Sequence, residues 1–331
     1  MDSEINLQEL VREELLDKPV KSTNERAFLA GILRGSGELI FTREGFALAV
    51  SLYCGKTMQV FLEIVKRRYE ATADVTESVK KIGKRVLTYS RAEFGVKDAG
   101  RILSDCRIVS EKYTIEEGLP KELIKKNSDK KEFLIGVFLS CGILYAPQGN
   151  IEEGGTKKSK NSGYHLEFPL KSASVLKDFT VLLNEICGYE DGSVAKVRKE
   201  GYTVYIKSAE RISDCLAAMG ANNGVLKLQE IIASRNMRNL MNRGRNFILA
   251  NIDRTTAASE VQISKIMPLY ESGLLKDEKL MELASLRIAH SELTLEQLAE
   301  LTDPPSTKSA VNHRLRKLIK LADEYEINHK I

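Results

Sequence analysis

The chain has 331 residues, with 43% hydrophobic and 29% charged side chains, which is the composition of a globular protein with two or three domains. Its formal net charge of +4 is too small to indicate a nucleic-acid partner by itself, and no segment approaches the roughly 20 consecutive apolar residues that span a bilayer. Its five cysteines form no CxxC pair, so we expect reduced thiols in a cytoplasmic protein. Its four histidines have no cysteine or histidine partner at ligand spacing, so we expect no structural zinc, and we expect no cofactor.

The first part of the chain contains an internal repeat. The sequence FLAGILRGSGEL at 28–39 returns in related form as FLIGVFLSCGIL at 133–144. A strand-like segment, an amphipathic helix, a second β-rich segment and a closing helix follow each copy in the same order. We therefore predict a duplication over residues 21–220, with repeats at about 21–118 and 128–220, each folded as αββαββα.

Both copies carry small residues one helical turn apart, Gly31 and Gly35 in the first and Gly136 and Ser140 in the second. Small residues at positions i and i+4 allow two helix backbones to approach closely. A glycine inside a helix costs about 1 kcal/mol relative to alanine, so such a pattern in two copies needs a structural reason. We predict that the two motif helices pack against each other through these four positions, about a pseudo-twofold axis.

This pair of motifs resembles that of the LAGLIDADG homing endonucleases. The resemblance implies that the paired helices form the interface between two half-domains, and that each half contributes an antiparallel sheet to a saddle that straddles DNA. In that family, an acidic residue just before the last glycine of each motif binds the catalytic magnesium ion. Here those positions are occupied by Ser36 and Cys141.

A hydroxyl and a thiol do not supply the carboxylate oxygens that Mg²⁺ and two-metal phosphodiester cleavage require. We therefore expect that the scaffold persists without nuclease activity, with no catalytic residues and no bound metal. The alternative is a nuclease whose metal site has moved. Its candidate ligands would be Glu38, Asp98, Asp105 and Glu132.

The duplicated half could contact DNA itself, or it could serve as a protein-interaction module while the rest of the chain binds DNA. Three basic clusters, at 65–69, 80–85 and 157–160, would suit phosphate contacts on the saddle, but they could also be solvated loop segments. The sequence leaves both interpretations open.

Helical patterns lie on both sides of the duplication. Residues 1–20 are predicted to form an N-terminal helical arm, and residues 221–258 a basic helical linker. In the linker, Arg238, Arg243 and Arg245 could lie near DNA phosphates, or they could be solvated residues of a connector.

Residues 259–331 are predicted to form a helix-turn-helix domain. Its first helix covers 278–290. The second covers 294–303 and begins with Thr294 and Gln297 at the spacing of a capping box. Two prolines then end the second helix, because proline cannot donate a backbone hydrogen bond, and a third helix follows.

The third helix divides into two faces. Val311, Leu315, Leu318 and Ala322 fall on one stripe that is suited to a core. On the other face, asparagine and arginine can pair with adenine and guanine edges in the major groove, while lysines and the capped helix start can contact phosphates. The predicted DNA-binding residues are Ser306, Thr307, Lys308, Ser309, Asn312, His313, Arg316, Lys317 and Lys320.

A degenerate motif pair followed by TKSAVNHRLRKL at 307–318 is similar to the WhiA family of bacterial sporulation and cell-division regulators. The segments LVREEL at 10–15, RNLMNR at 238–243 and ESGLL at 271–275 fit the same family. The resemblance implies a DNA-binding transcriptional regulator with a catalytically inactive endonuclease-like half, in which the helix-turn-helix is the main reader of promoter DNA.

We therefore predict an α+β protein, in which a duplicated LAGLIDADG-like saddle is followed by an all-α helix-turn-helix domain. The expected partner is double-stranded DNA at promoters, and the expected location is the cytoplasm, in association with the nucleoid. We expect no membrane contact and no enzymatic activity.

Overall fold

The computed structural model describes residues 6–82, 85–110, 114–147, 163–188, 194–198 and 201–329. They belong to two compact units, Met1–Arg235 and Asn236–Ile331. The first unit is mixed α+β and the second is all-α, which confirms the predicted fold class. None of the helices in the described part of the chain combines the length and the apolar character that crossing a bilayer requires.

The first repeat has the predicted order αββαββα and follows a separate helix, α1 (Leu7–Leu16). Its elements are α2 (Glu25–Ser36), β1 (Gly37–Thr42), β2 (Gly45–Leu52), α3 (Gly55–Tyr69), β3 (Asp74–Ile82), β4 (Arg85–Phe94) and α4 (Val96–Asp105). The four strands form an antiparallel sheet in the order β1-β2-β4-β3. Strands β2 and β4 therefore lie in the middle, and their apolar side packs under the helices.

The second repeat has the same order of elements. They are α5 (Asn127–Cys141), β5 (Ile143–Tyr145), β6 (His165–Leu170), α6 (Ala173–Cys187), β7 (Val194–Arg198), β8 (Gly201–Ile206) and α7 (Ala209–Met219). Its sheet is antiparallel in the order β5-β6-β8-β7, which matches the first sheet strand for strand. The shared topology confirms the predicted duplication.

A charge-exchanged ion pair occupies equivalent places in the two repeats. In the first repeat, Glu25 at the start of α2 pairs with Arg67 in the last turn of α3. In the second, Lys130 near the start of α5 pairs with Glu185 in the last turn of α6. The contact between the two helices is thus retained while the signs of the charges are reversed, which indicates a structural role for the pair.

Helix α1 is an integral part of the first unit, because its apolar side is buried in the common core. The carboxylate of Glu14 accepts hydrogen bonds from the backbone N–H groups of Asn223 and Gly224, at 3.1 and 3.0 Å. These N–H groups lie in the first turn of α8 (Asn222–Glu271) and have no partner within that helix. The arm therefore caps α8 with a negative charge at the positive end of its dipole.

The second unit contains the rest of α8 and three more helices, α9 (Glu278–Ala289), α10 (Leu295–Leu301) and α11 (Lys308–His329). Helix α8 continues beyond residue 258, the predicted end of the linker, because Ile266 and Leu269 in its last turns are buried in the core of this unit. The predicted core stripe of α11 is buried in the same cluster. The boundaries assigned to the domains from the sequence stay predictions.

Candidate nucleic-acid interface

The motif helices α2 and α5 lie against each other at backbone distance. A Cβ atom placed on Gly31 would clash with the carbonyl oxygen of Phe133, and one on Gly136 would clash with the carbonyl oxygen of Phe28. A Cβ atom on Gly35 would overlap the side chain of Ser140. The structure thus brings Gly31, Gly35, Gly136 and Ser140 together at one helix crossing.

The two positions that carry acids in the endonucleases lie in the last turns of these helices. The hydroxyl of Ser36 donates to the carbonyl oxygen of Ile32 at 3.2 Å, and the thiol of Cys141 lies 3.4 Å from the carbonyl oxygen of Val137. Burial raises the pKa of Cys141 to about 12, so its thiol stays protonated at neutral pH. Neither position supplies an anionic ligand.

Two cations contact the C-terminal ends of the same helices. The guanidinium of Arg12 donates to the carbonyl oxygens of Leu139 and Gly142, at 2.8 and 2.9 Å, and the ammonium of Lys171 donates to that of Gly37 at 2.6 Å. Burial lowers the pKa values of Arg12 and Lys171. Cations are favourable here because the C-terminal end of a helix carries partial negative charge.

The endonuclease fold implies a divalent metal at this place, and the residues present do not fit one. A hydroxyl that is bonded within its own helix and a protonated thiol are poor ligands for Mg²⁺, and two neighbouring cations repel it. Among the residues that the structure describes, no group of three or more His, Cys, Asp and Glu side chains could hold a metal ion. We derive no cleavage step through this position.

The carboxylates considered for a relocated metal site lie on different elements and mostly pair with cations. Glu38 on β1 accepts from Arg91 at 2.7 Å, and Asp98 on α4 lies 3.7 Å from Arg101. Burial raises the pKa of Glu132 on α5, which favours its neutral form. These three groups therefore do not converge on one site.

The fourth candidate, Asp105, belongs to a network that ties α4 to α2 and α3. Its carboxylate pairs with Arg26 at 2.9 Å, and it accepts from Arg68 at 3.0 Å and from the hydroxyl of Tyr69 at 2.8 Å. Two cations and a phenol already occupy its oxygens, so it holds helices together.

The outer face of the first sheet is the one that points away from the core. The side chains that the structure describes on this face are mainly acidic. Because Phe94 points into the core, the alternation of a strand places Arg91 and Glu93 on the opposite face, and the strand register places Glu38 and Asp74 beside them. Arg91 donates to both Glu38 and Glu93, at 2.7 Å each.

In the saddle of a homing endonuclease this face would meet DNA, and here it presents three carboxylates and one guanidinium in its described part. Two of the basic clusters predicted for phosphate contacts have no described side chains. Those of 80–85 are not described, and 157–160 lies outside the described residues.

In the second unit, the helix-turn-helix pair is α10 and α11. Helix α10 begins with the predicted capping box: the backbone N–H of Gln297 donates to Thr294 Oγ1 at 3.3 Å, and the N–H of Thr294 donates to Gln297 Oε1 at 2.9 Å. The helix ends at Leu301, two residues before the predicted end. The buried Thr302 then continues into the turn.

Hydrogen bonds fix the turn between α10 and α11. Thr302 Oγ1 lies 2.9 Å from the carbonyl oxygen of Ala299 and 3.0 Å from Ser306 Oγ. Thr307 caps the N-terminus of α11, because its Oγ1 accepts from the backbone N–H of Ala310 at 3.3 Å. Ser306 instead binds back to the turn, so its hydroxyl is already engaged.

The polar face of α11 is open to solvent. Ser309, His313, Arg316 and Lys320 are exposed and Asn312 is half-buried, all on the side opposite the core stripe. These five predicted DNA-binding residues thus share one accessible face.

Two further lysines flank that face in exposed ion pairs. Lys308 lies 4.0 Å from Glu296 on α10, and Lys317 lies 3.3 Å from Asp277 at the start of α9. Exposed ion pairs of this kind contribute little to stability, so a phosphate can replace either carboxylate at little cost.

Arg287 is a structural residue of this unit that the sequence analysis did not single out. It is only 2% exposed, and it donates to the carbonyl oxygen of Leu293 at 2.8 Å and to Ser259 Oγ at 3.3 Å. Burial lowers its pKa. In the sequence, Arg287 lies at position i+7 of the apolar stripe that begins with Leu280 and continues with Leu283, and this position indicates that its side chain is buried.

In comparisons with known proteins, the two units match domain models of the same family. A family model described as the WhiA LAGLIDADG-like domain matches residues 130–238, and one described as the WhiA C-terminal HTH domain matches residues 241–322. Proteins named "Probable cell division protein WhiA" from Bacillus subtilis and Bacillus pumilus are 32% and 31% identical to this chain, each with 95% of both sequences covered. The crystal structure of full-length WhiA from Thermotoga maritima covers 97% of this chain and 98% of its own, with a TM-score of 0.52 and 22% identity, which shows a shared fold.

Proposed function

The chain belongs to the WhiA family, and on that basis we propose that it is a sequence-specific, DNA-binding transcriptional regulator that does not cleave DNA. Its relatives are named as probable cell division proteins, so we place its target genes in cell division and, following the family resemblance, in sporulation. The helix-turn-helix domain supports double-stranded DNA as the partner. We propose promoter regions as its targets and the nucleoid as its location in the cytoplasm.

The observation that carries this proposal is the accessible polar face of α11. A helix that follows a tight turn in a helix-turn-helix enters the major groove with its first turns against the base edges. Asn312 and Arg316 lie one turn apart on that face, and these residue types can bond adenine and guanine in two-pronged fashion. We assign base readout to these two side chains.

The residues around this face would position the helix on the DNA backbone. Lys308 and Lys317 lie on its flanks, where phosphates can replace their exposed carboxylate partners. The first turn of α11 offers backbone N–H groups and the positive end of the helix dipole to a phosphate. Ser309, His313 and Lys320 complete the proposed contact surface.

The absence of nuclease activity is proposed from the ends of the motif helices. Ser36 and Cys141 replace the endonuclease acids, while Arg12 and Lys171 bind the adjacent carbonyl groups. This combination disfavours the binding of a divalent cation. On this proposal the duplicated half serves as a scaffold and not as a nuclease.

A second candidate role for the duplicated half is protein interaction, which the acidic described part of its first sheet favours. Three carboxylates against one guanidinium would repel the phosphates of a duplex that lay across this face. On this view the second unit carries the DNA affinity, and the first unit contacts another protein.

Enrichment of random duplexes on the immobilised full-length protein tests the main proposal. We expect recovery of a common sequence, and binding to it that weakens steeply as salt rises, because neutralised phosphates release counterions. Recovery of no common sequence, or metal-dependent nicking of the recovered duplex, would overturn the assignment.

A further inference from the structure

The middle of α8 is exposed to solvent over several helical turns. Every residue from Asn236 to Arg254 is exposed, which amounts to about five helical turns in water at 3.6 residues per turn. Helices in proteins owe most of their stability to the packing of one face, so a bare segment of this length points to a partner that covers it.

Large apolar side chains cluster on one side of this bare segment. At 100° per residue, six of the seven fall within about 140° of the helix circumference, as expected of a helix that buries one face, and the seventh, Leu249, lies about 60° beyond them. Their exposed fractions range from 50% to 69%. We call this surface the α8 stripe; it consists of Met237, Leu240, Met241, Phe247, Ile248 and Ile252.

Arginines border the α8 stripe on both sides. Arg245 lies on one flank, while Arg243 and Arg254 lie on the other. No ion pair between residues that the structure describes involves these three arginines. The only acidic residue from 236 to 254, Asp253, lies on the back of the helix, among asparagines.

We propose that the α8 stripe docks an amphipathic helix of a partner protein, whose apolar face is bordered by glutamate or aspartate. The stripe supplies the repeat of apolar positions that helix pairing uses, and the flanking charges set which partner is accepted. Gly244 lies within the stripe with open space where its Cβ would be, so the partner helix can approach closely there.

The charge pattern selects this occupant over two others. A second copy of the chain would bring the arginines of both helices together across the apolar seam, and such like charges repel. A DNA duplex could accept the arginines, as predicted for Arg238, Arg243 and Arg245, but its hydrated backbone would leave the six apolar side chains in water. An amphipathic helix with acidic flanks would bury the apolar side chains of the α8 stripe and would also pair with the arginines beside it.

Fluorescence anisotropy with the full-length protein tests the proposal. The probe is a synthetic helix with leucine and isoleucine at the core positions of its heptads and glutamate beside them; a matched helix carries lysine in place of glutamate. We expect the glutamate helix to bind at least tenfold more tightly than the lysine helix. Ile248→Asn should weaken binding at least tenfold, whereas Val181→Asn, at an exposed apolar position on α6, should leave it unchanged.

A charge-reversal variant separates a lost contact from a lost fold. Arg243→Glu combined with Arg245→Glu should reverse the preference, so that the lysine helix binds more tightly, which an unfolded protein cannot produce. Equal binding of the two helices by the wild-type protein overturns the proposal. So does a dimer in sedimentation that Ile248→Asn dissociates, or a loss of affinity for the enriched duplex on charge reversal without any change in peptide binding.

Discussion

The ends of the motif helices and the first turns of α11 are both places where a DNA-binding fold would present polar side chains, yet they use these side chains in opposite ways. At the motif helices, Ser36 and Cys141 contact carbonyl oxygens within their own helices, and Arg12 and Lys171 bind neighbouring ones. On α11, the polar side chains opposite the core point into solvent.

A fold that binds DNA in one family can therefore persist in a protein whose side chains at the same place are engaged in internal contacts. Polar atoms whose hydrogen bonds are already made inside the protein give up those bonds before they contact a ligand, and a buried donor left unpaired costs about 1–3 kcal/mol. Exposed groups only exchange water or a weak ion pair for the ligand. Substitutions at the motif helices should therefore change stability, and substitutions on α11 should change affinity.

We expect the largest change, a loss of stability, for a substitution at the crossing of α2 and α5. Gly136→Val would force a side chain against the carbonyl oxygen of Phe28, where the two backbones touch. Because overpacking a rigid contact costs 1–3 kcal/mol and occasionally more, we expect a loss of about 3 kcal/mol or more in the free energy of unfolding, measured by denaturant titration.

A matched glycine controls for helix propensity. Gly244→Ala lies in the bare part of α8, with nothing within 4 Å of the added Cβ. It should raise stability slightly, by up to about 1 kcal/mol, because alanine is the better helix former. A Gly136→Val protein as stable as the wild type would show that the two backbones are not in contact.

The next effect concerns α11. Asn312→Ala combined with Arg316→Ala removes two side chains assigned to base edges, each worth about 1–3 kcal/mol of discrimination. We expect affinity for the enriched duplex to fall by at least thirtyfold, or about 2 kcal/mol, in anisotropy titrations at fixed salt. The thermal midpoint should change little.

Asn328→Ala, an exposed substitution in the last turn of α11, serves as its control and should bind as the wild type does. Unchanged affinity in the Asn312 and Arg316 double variant would place base readout elsewhere in the chain.

A substitution of Arg12 should have the opposite outcome, with a loss of stability and no loss of DNA affinity. Arg12→Met keeps the length of the side chain but leaves the carbonyl groups of Leu139 and Gly142 without this donor. Hydrogen bonds that involve charged groups contribute about 1.5–3 kcal/mol, so we expect a loss of about 2 kcal/mol in stability, read from thermal unfolding. At temperatures where it is folded, the Arg12→Met protein should bind DNA with the affinity of the wild type.

Arg43→Met at an exposed turn should be neutral to within about 0.5 kcal/mol. If Arg12→Met reduced DNA affinity while leaving stability intact, the arm would belong to the DNA site and the contrast between the two regions would fail.

The smallest effect is expected for Lys317. Lys317→Ala removes one proposed phosphate contact, so the slope of log affinity against log salt should become shallower by about 0.9, equally for enriched and unrelated duplexes. Lys121→Ala in the first unit is the control. A change limited to the enriched sequence would instead mean that Lys317 reads bases.

The local patterns in the sequence predicted much of this structure. Small residues four positions apart predicted the crossing of α2 and α5, and the periodicity of α11 separated Val311 and Leu315 from Asn312 and Arg316. The central strands β2, β4, β6 and β8 coincide with the β-rich segments in the sequence, because they carry the most apolar residues. The charge on the outer face of the first sheet depends on strand register, which periodicity alone does not fix.

The cations at the motif-helix ends could not be found in this way. Arg12 reaches Leu139 across 127 positions of the chain, and Lys171 reaches Gly37 across 134. No local pattern encodes such contacts, since they arise only when α1 and the start of α6 pack beside the motif helices. The sequence therefore predicted the loss of the acids, but not the positive charges beside them.

The central claim is that this protein holds DNA through α11 and leaves both strands intact. The most direct measurement is to incubate the full-length protein with its enriched duplex and millimolar Mg²⁺ or Mn²⁺, and to record base protection and strand length from the same sample. We predict intact strands with a protected site that disappears in the Asn312→Ala and Arg316→Ala double variant. Metal-dependent breaks inside the protected site, or protection that the double variant retains, would contradict the claim.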